Sequence, residues 1–113
     1  MEPYLEIINH FGYRAQMKKL NEECFEFLEA VDNYEDFDVF FSGEADLDDL
    51  KQAREFVIEE MGDMLILLTQ FLARYHITKD EVDKVMDYKL DRTLSRISEG
   101  YYDSDEEDEE SYE

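Results

Sequence analysis

Residues 59–72 read EEMGDMLILLTQFL, an apolar run that begins with two acids and is interrupted by three further polar side chains. Around this run, apolar residues occupy most sides of a helical wheel, which is typical of a buried helix. The polar positions that are left form a narrow strip. That strip contains Glu59, Asp63, Gln70 and Arg74, with Glu60 at its margin. The stretch therefore predicts a helix buried in a bundle, with carboxylates on one side of it.

Carboxylates on a buried helix need a compensating charge. Each costs several kcal/mol unless it is paired with a cation or bound to a metal. Arg74 lies eleven residues beyond Asp63, about 16 Å along a helix axis, which is too far to neutralise that carboxylate within the helix. Gly62, a mid-helix glycine that costs about 1 kcal/mol relative to alanine, predicts the close approach of a neighbouring helix or ligand. A bound metal ion is the simplest compensating charge.

Helical periodicity extends over the rest of the chain, and no segment alternates as a strand does. We expect a short helix or turn over residues 3–9, a helix over 14–32, a loop or helical turn over 33–45 and a long helix over 46–76. This last helix could break near Gln52, and Asp46 is its expected N-cap. Thr78 and Glu81 form a capping box for a final helix that ends near Ser98. In the 14–32 helix the expected core stripe comprises Met17, Leu20, Cys24, Leu28 and Val31.

These elements predict an all-α fold, a four-helix-type bundle that is completed by oligomerisation. Residues 1–98 form its helical domain, and residues 99–113 form an acidic tail with nine acids and no base. A tail of that composition has too little apolar surface to pack, so we expect it to be disordered. A single subunit of this length buries only part of its apolar surface, which favours a dimer or tetramer.

Charge and cysteine content restrict the binding partners and the cellular compartment that we expect for this protein. The 113 residues carry 32 acids against 11 bases, a formal net charge of −21. Such a field repels nucleic acid and anionic membranes, and attracts divalent cations. The single cysteine fits a reducing compartment. The N-terminus has no export signal, and no segment is long and apolar enough to span a bilayer. We therefore expect a cytoplasmic protein that binds neither membranes nor nucleic acid directly.

A second acidic motif precedes the first. Residues 22–26 read EECFE, and on a helix the side chains of Glu23 and Glu26 converge, as do those of Glu60 and Asp63. Mg²⁺ prefers such carboxylate oxygens, and two adjacent helices can build a site for it inside a bundle. The alternative is a solvated helix face, because Glu22 and Glu26 lie roughly opposite the expected core stripe.

Together the two motifs resemble the E-E-x-x-E…E-x-x-D signature of the MazG-like nucleoside triphosphate pyrophosphohydrolases. The resemblance covers roughly residues 14–98, and residues 59–72 are similar to a typical helix of that family. One departure is the 33-residue interval between the motifs, which is longer than is common in the family.

The resemblance implies a helical dimer or tetramer that hydrolyses a nucleoside triphosphate, of the ribose or the deoxyribose series, to a monophosphate and pyrophosphate, as in nucleotide-pool cleaning. It implies Mg²⁺, or Mn²⁺ in its place, as the cofactor. The residues that it assigns are metal ligands Glu23, Glu26, Glu60 and Asp63, with Glu22 beside them to orient or deprotonate the attacking water.

A polyphosphate also needs cationic partners. Lys89, Arg92 and Arg96 share one face of the last helix, with Tyr88 adjacent for contact with a base, and the stretch resembles the basic helix that related proteins use against phosphates. Lys19 is a weaker candidate of the same kind. The alternative is a solvated face that makes surface ion pairs. The apolar residues of this helix are expected to pack against the bundle.

The main rival function is of another class. Net charge and the acidic tail are also typical of an acidic interaction protein, or a DNA mimic, that binds a basic partner without catalysis. Such a protein gains nothing from carboxylates on an apolar helix, which favours the enzyme. A third reading keeps the fold and binds a nucleotide or partner without hydrolysis.

Overall fold

Residues 2–40 and 47–100 are described by a computed structural model of the chain, and within these residues the fold is all-helical without a strand. Four helices follow one another: α1 (Glu2–Phe11), α2 (Tyr13–Phe40), α3 (Leu47–Tyr75) and α4 (Lys79–Ser98). The first three belong to one compact unit, Met1–His76, and α4 belongs to a second, Ile77–Glu113. The prediction of an all-α fold is confirmed.

Helix ends follow the sequence signals where the structure describes them. The capping box before α4 is present, because the Glu81 backbone N–H donates to Thr78 Oγ1 at 3.1 Å and the Thr78 N–H donates to Glu81 Oε2 at 3.3 Å. Residues 33–40, part of the expected loop or helical turn, instead continue α2 as a regular helix. Helix α3 passes through Gln52 without a break. Asp46, and the tail beyond Gly100, lie outside the described residues.

Helices α2 and α3 form an antiparallel hairpin. Their inward positions alternate in steps of three and four residues, which is the spacing of left-handed coiled-coil packing. The positions with this spacing, all of them buried or half-buried, are Tyr13, Gln16, Leu20, Glu23, Phe27, Ala30 and Tyr34 on α2, and Leu50, Ala53, Val57, Glu60, Met64, Leu67, Phe71 and Arg74 on α3. We call this double row the hairpin seam. Polar side chains therefore lie inside it, at several levels.

The core stripe predicted for α2 is confirmed only in part, since Leu20, Cys24 and Val31 are half-buried. Met17 and Leu28 are mostly exposed, whereas Gln16 and Glu23 are buried. The helix is rotated relative to the expectation because cross-seam partners compensate the burial of polar side chains. Gln16 Nε2, for example, donates a hydrogen bond of 2.9 Å to Gln70 Oε1.

Helix α1 packs on α3 and, less extensively, on the start of α2. Ile8 of α1 is fully buried. Gln70 and Ala73 of α3, in the same unit, are each more than nine-tenths buried. Gly12 separates α1 from α2 with a φ of +90°, a conformation that favours glycine. This bend places α1 against the end of the hairpin where α2 begins and α3 ends.

Much of the apolar surface of α3 is not buried in the single chain, contrary to the sequence prediction. A second row with three- and four-residue steps runs along its outer side. This row, the outer stripe, comprises Ile58, Met61, Leu65, Leu68, Leu72 and Tyr75, of which only Leu72 is half-buried. A Cβ built at Gly62 would meet no atom within 4 Å, so no part of the described chain makes the predicted close approach.

Helix α4 contains no buried residue. The apolar side chains that were expected to pack are exposed, including Val85, Met86, Leu90, Leu94 and Ile97. Among residues 2–40 and 47–100, no helix combines the length and apolarity needed to cross a membrane.

Candidate metal centre

Three carboxylates from two helices meet on the hairpin seam. Glu23 and Glu26 come from α2 and Glu60 from α3, and one oxygen of each lies within 4.8 Å of the others. We call these three residues the acid cluster. Glu23 is only 6 % exposed, Glu60 is half-buried and Glu26 is exposed, so the cluster extends from the seam to solvent. Like charges at this separation repel strongly unless a cation or a proton lies between them.

Two oxygens of the cluster lack hydrogen-bond partners. Oε1 of Glu23 and Oε1 of Glu60 are both buried, and no described donor reaches either of them. A buried carboxylate oxygen without a donor is destabilising by a few kcal/mol, which makes the arrangement unfavourable as a purely structural one. Either a proton shared between the two carboxylates or a bound cation would satisfy these oxygens.

Lys19 supplies the cation nearest to the cluster. Its Nζ lies 3.3 Å from Oε2 of Glu23, one helical turn away on α2. The hydrogen bond and the charge of Glu23 raise the pKa of Lys19, with smaller contributions from Glu22 and Glu26. The lysine side chain is about half exposed, so it remains accessible from solvent while it neutralises one of the three carboxylates.

One shared proton accounts for the acid–base properties of the pair. The pKa of Glu60 is raised to about 7, first by its hydrogen bond to Glu23, then by burial and by the charges of Glu23, Glu26 and Asp63. The same hydrogen bond, together with Lys19, lowers the pKa of Glu23. Two ionised carboxylates cannot donate to each other, so protonated Glu60 donates to ionised Glu23.

The donor set fits a hard divalent cation. All of its atoms are carboxylate oxygens, which Mg²⁺ and Mn²⁺ prefer, and neither histidine nor cysteine belongs to the cluster. A cation between Glu23 and Glu60 would take the place of the shared proton and would satisfy both orphaned oxygens. The exposed side of the cluster, at Glu26, leaves room for water or ligand oxygens, which Mg²⁺ usually retains.

The remaining predicted acids lie near the cluster but outside it. Asp63 is exposed and does not belong to the close group, although its charge contributes to the raised pKa of Glu60. Glu22 is exposed on α2. Of the four predicted ligands, the structure thus brings three together and places the fourth one turn along α3 from Glu60.

The predicted phosphate-binding residues of α4 belong to the second unit. The guanidinium carbon of Arg92 lies 5.5 Å from the centre of the Tyr88 ring, a cation–π contact within that helix. Lys89, Arg92 and Arg96 share one side of α4, as their spacing requires. Their role stays a prediction.

Sequence reasoning missed two polar layers next to the cluster. One is the Gln16–Gln70 amide pair, and the other is the stacking of Arg74 on Tyr13, whose ring centre lies 4.9 Å from the guanidinium carbon. The signal that could have found them is positional: polar residues recur at seam positions of both helices. A search for apolar residues alone does not detect this regular spacing of polar residues.

Comparisons with protein-family models, with curated proteins and with solved structures give no match to this chain. The MazG-like assignment therefore rests on the two acidic motifs and stays a prediction.

Proposed function

We propose that this chain is a Mg²⁺-dependent hydrolase that cleaves a nucleoside triphosphate, ribose or deoxyribose, between its α- and β-phosphates. The observation that supports this most is the acid cluster, with its three converging carboxylates and its two orphaned buried oxygens. Mg²⁺ bound there would mask phosphate charge and favour the transition state. Glu23, Glu26 and Glu60 would hold the ion, and Asp63 would complete the set from the exposed side.

The reaction adds water to the α-phosphorus and breaks the bond to the bridging oxygen of the β-phosphate. Pyrophosphate leaves with that oxygen, and the nucleoside monophosphate retains the α-phosphorus. Glu22, exposed one residue before Glu23, is the proposed acceptor of the proton that the attacking water loses. Lys19 offsets the charge of the cluster at the solvent side and is available to a phosphate oxygen.

The second unit has a proposed role in holding substrate. Lys89, Arg92 and Arg96 would bind phosphate oxygens through charge-assisted hydrogen bonds, and Tyr88 would contact the base. A cytoplasmic enzyme of this kind would remove unwanted nucleotides from the precursor pool.

The first test is pyrophosphate release from a panel of ribonucleoside and deoxyribonucleoside triphosphates in the presence of Mg²⁺. We expect metal-dependent release that Asp63→Ala lowers by about 10- to 100-fold, the usual effect of disturbing the surroundings of a metal. Glu55→Ala, an exposed acid on the same helix, should leave the rate unchanged. If no nucleotide is hydrolysed and Mg²⁺ does not bind, the acidic interaction protein becomes the better interpretation.

We also propose that a second copy of the chain covers the outer stripe of α3, so that two hairpins complete a four-helix bundle. Coiled-coil spacing on both sides of α3 supports this, since a helix with two apolar seams is typical of a bundle interior. An uncovered row of this length would be an aggregation hazard in a soluble monomer.

Leu65→Glu is expected to shift the protein from oligomer to monomer, because the substitution places a charge in the middle of the outer stripe. Sedimentation equilibrium would measure the change. Ile66→Glu is the matched control, since Ile66 is also exposed, at 45 % against 59 % for Leu65, but points about 100° away around the helix. A wild-type chain that sediments as a monomer, or an equal effect of both substitutions, would contradict the proposal.

A further inference from the structure

Charge is unevenly distributed along the first unit, Met1–His76. Residues 7–21 and 64–76 contain no aspartate or glutamate, although the chain holds 32 acids. The same two segments contain four cations: Arg14, Lys18, Lys19 and Arg74. We call these segments the basic end. They come together in the fold, because Gln16 bonds to Gln70 and Tyr13 contacts Arg74 across the hairpin.

Two arginines of the basic end are held on one aromatic ring. The guanidinium carbons of Arg14 and Arg74 lie 5.3 and 4.9 Å from the centre of the Tyr13 ring. Arg74 is half-buried and Arg14 is exposed. Neither forms an ion pair with a carboxylate of the described residues. Within the described residues, the contacts of these two guanidinium groups are therefore with aromatic rings rather than with carboxylates.

The basic end adjoins the acid cluster along the same seam. Lys19 lies four residues from Glu23 and already contacts it, and Tyr13 lies ten residues from Glu23, about 15 Å along the helix axis. The acid cluster, a site for cations, and the arginines of the basic end, a site for anions, thus lie within about 15 Å of each other along α2. A metal-bound polyphosphate has both requirements, because the ion neutralises only part of its charge.

We propose that the basic end is a phosphate subsite that binds the pyrophosphate portion of the substrate, with Arg14 and Arg74 as its main ligands. The identity of the anion rests on the proposed function, whereas the subsite itself rests on charge and geometry. Guanidinium groups bind phosphate through paired N–H donors. The Tyr13 ring restricts the arginine side chains, which lowers the entropy lost when an anion binds. The subsite would orient the leaving group away from the acid cluster.

The test is calorimetric binding of inorganic pyrophosphate to the full chain with a chelator present, so that neither metal nor turnover contributes. We expect saturable binding that weakens at high salt. The pair Arg14→Gln and Arg74→Gln should weaken it at least about tenfold, since two charge-assisted hydrogen-bonding groups are lost. The matched control is Lys51→Gln with Arg54→Gln, which removes the same charge from the opposite part of α3 and should change affinity less than about twofold.

Arg14→Gln alone covers the case in which the double variant does not fold, because Arg14 is exposed. Arg74→Lys tests the guanidinium, since it keeps the charge and loses the paired donors. Absence of saturable pyrophosphate binding, or equal weakening by the control pair, would overturn the subsite. Arginine-dependent binding of an unphosphorylated nucleoside would also overturn the subsite, because the Tyr13 ring and its arginines would then recognise a base rather than a phosphate. Metal-dependent hydrolysis that persists in any of these cases would leave the proposed function intact.

Discussion

Glu60→Gln is expected to lower Mg²⁺-dependent pyrophosphate release by at least about 100-fold, because it removes one of the two proposed ligands that lie in the hairpin seam. The amide is nearly isosteric with the protonated carboxyl, so the hairpin seam should keep its packing. Steady-state kinetics with the best substrate of the panel would measure the loss, and Mg²⁺ titration would show whether binding is lost with it.

The same variant should be more stable than the wild type when no metal is present. At neutral pH and above, ionised Glu60 repels Glu23 and Glu26, and the glutamine removes that repulsion while it donates a hydrogen bond to Glu23. A gain of about 1 kcal/mol would raise Tm by several degrees. Stability and activity changing in opposite directions is the signature of a functional site that is strained without its ligand.

Glu59→Gln is the matched control for both measurements. Glu59 is the preceding residue on α3, exposed and outside the cluster, so the same charge is removed without loss of a ligand. It should retain activity and metal affinity. If Glu59→Gln and Glu60→Gln behave alike, the cluster is an ordinary charged surface and the proposed function loses its main support.

Helices were predictable from local signals, whereas the face that each helix buries was not. Periodicity and the capping box at Thr78 depend on residues a few positions apart, so sequence reveals them. Burial of Gln16 and Glu23 depends on Gln70 and Glu60, more than thirty residues away. A helical wheel assigns polar residues to solvent, because it contains no information about partners on another helix.

Helix α3 illustrates a second limit. Its apolar composition predicted burial on most sides, but composition does not say which side is covered by the same chain. Leu67 is buried in the hairpin seam and Leu65, two residues earlier, is 59 % exposed. The prediction that the whole helix is buried is wrong for a single chain. The apolar side that remains exposed is the observation that motivates the proposed dimer.

The acid cluster was predictable in part. Helical spacing indicated that Glu23 and Glu26 converge, and the resemblance to MazG-like enzymes added the second helix. Asp63 was expected to be an equal member, but in the described geometry it lies outside the close group. Antiparallel packing decides this, since it places Glu60 rather than Asp63 against Glu23, and sequence spacing alone does not fix the register between two helices.

Mg²⁺ affinity is expected to fall about tenfold for each pH unit below 7, because the cation and the shared proton compete for the same oxygens. Glu60 has a pKa of about 7 in the folded, metal-free chain. Below that pH, one proton must leave for each ion bound. Titration calorimetry in buffers of different ionisation enthalpy would count the protons, and about one should be released near pH 6. No release, with affinity independent of pH, would contradict metal binding at Glu60.

The stability of the metal-free chain should fall as the pH rises, whereas the Mg²⁺ affinity should increase. The folded-state pKa of Glu60 is above its ordinary value of 4.5, so between these values the folded chain holds more protons than the unfolded one. The stabilisation from the shared proton is therefore complete below about pH 4.5 and is lost as the pH rises through about 7. Thermal melts with chelator should show Tm falling over this interval, and Glu60→Gln should remove that fall. Mg²⁺ should raise Tm most above about pH 7, where Glu60 is deprotonated and its oxygens bind the ion best.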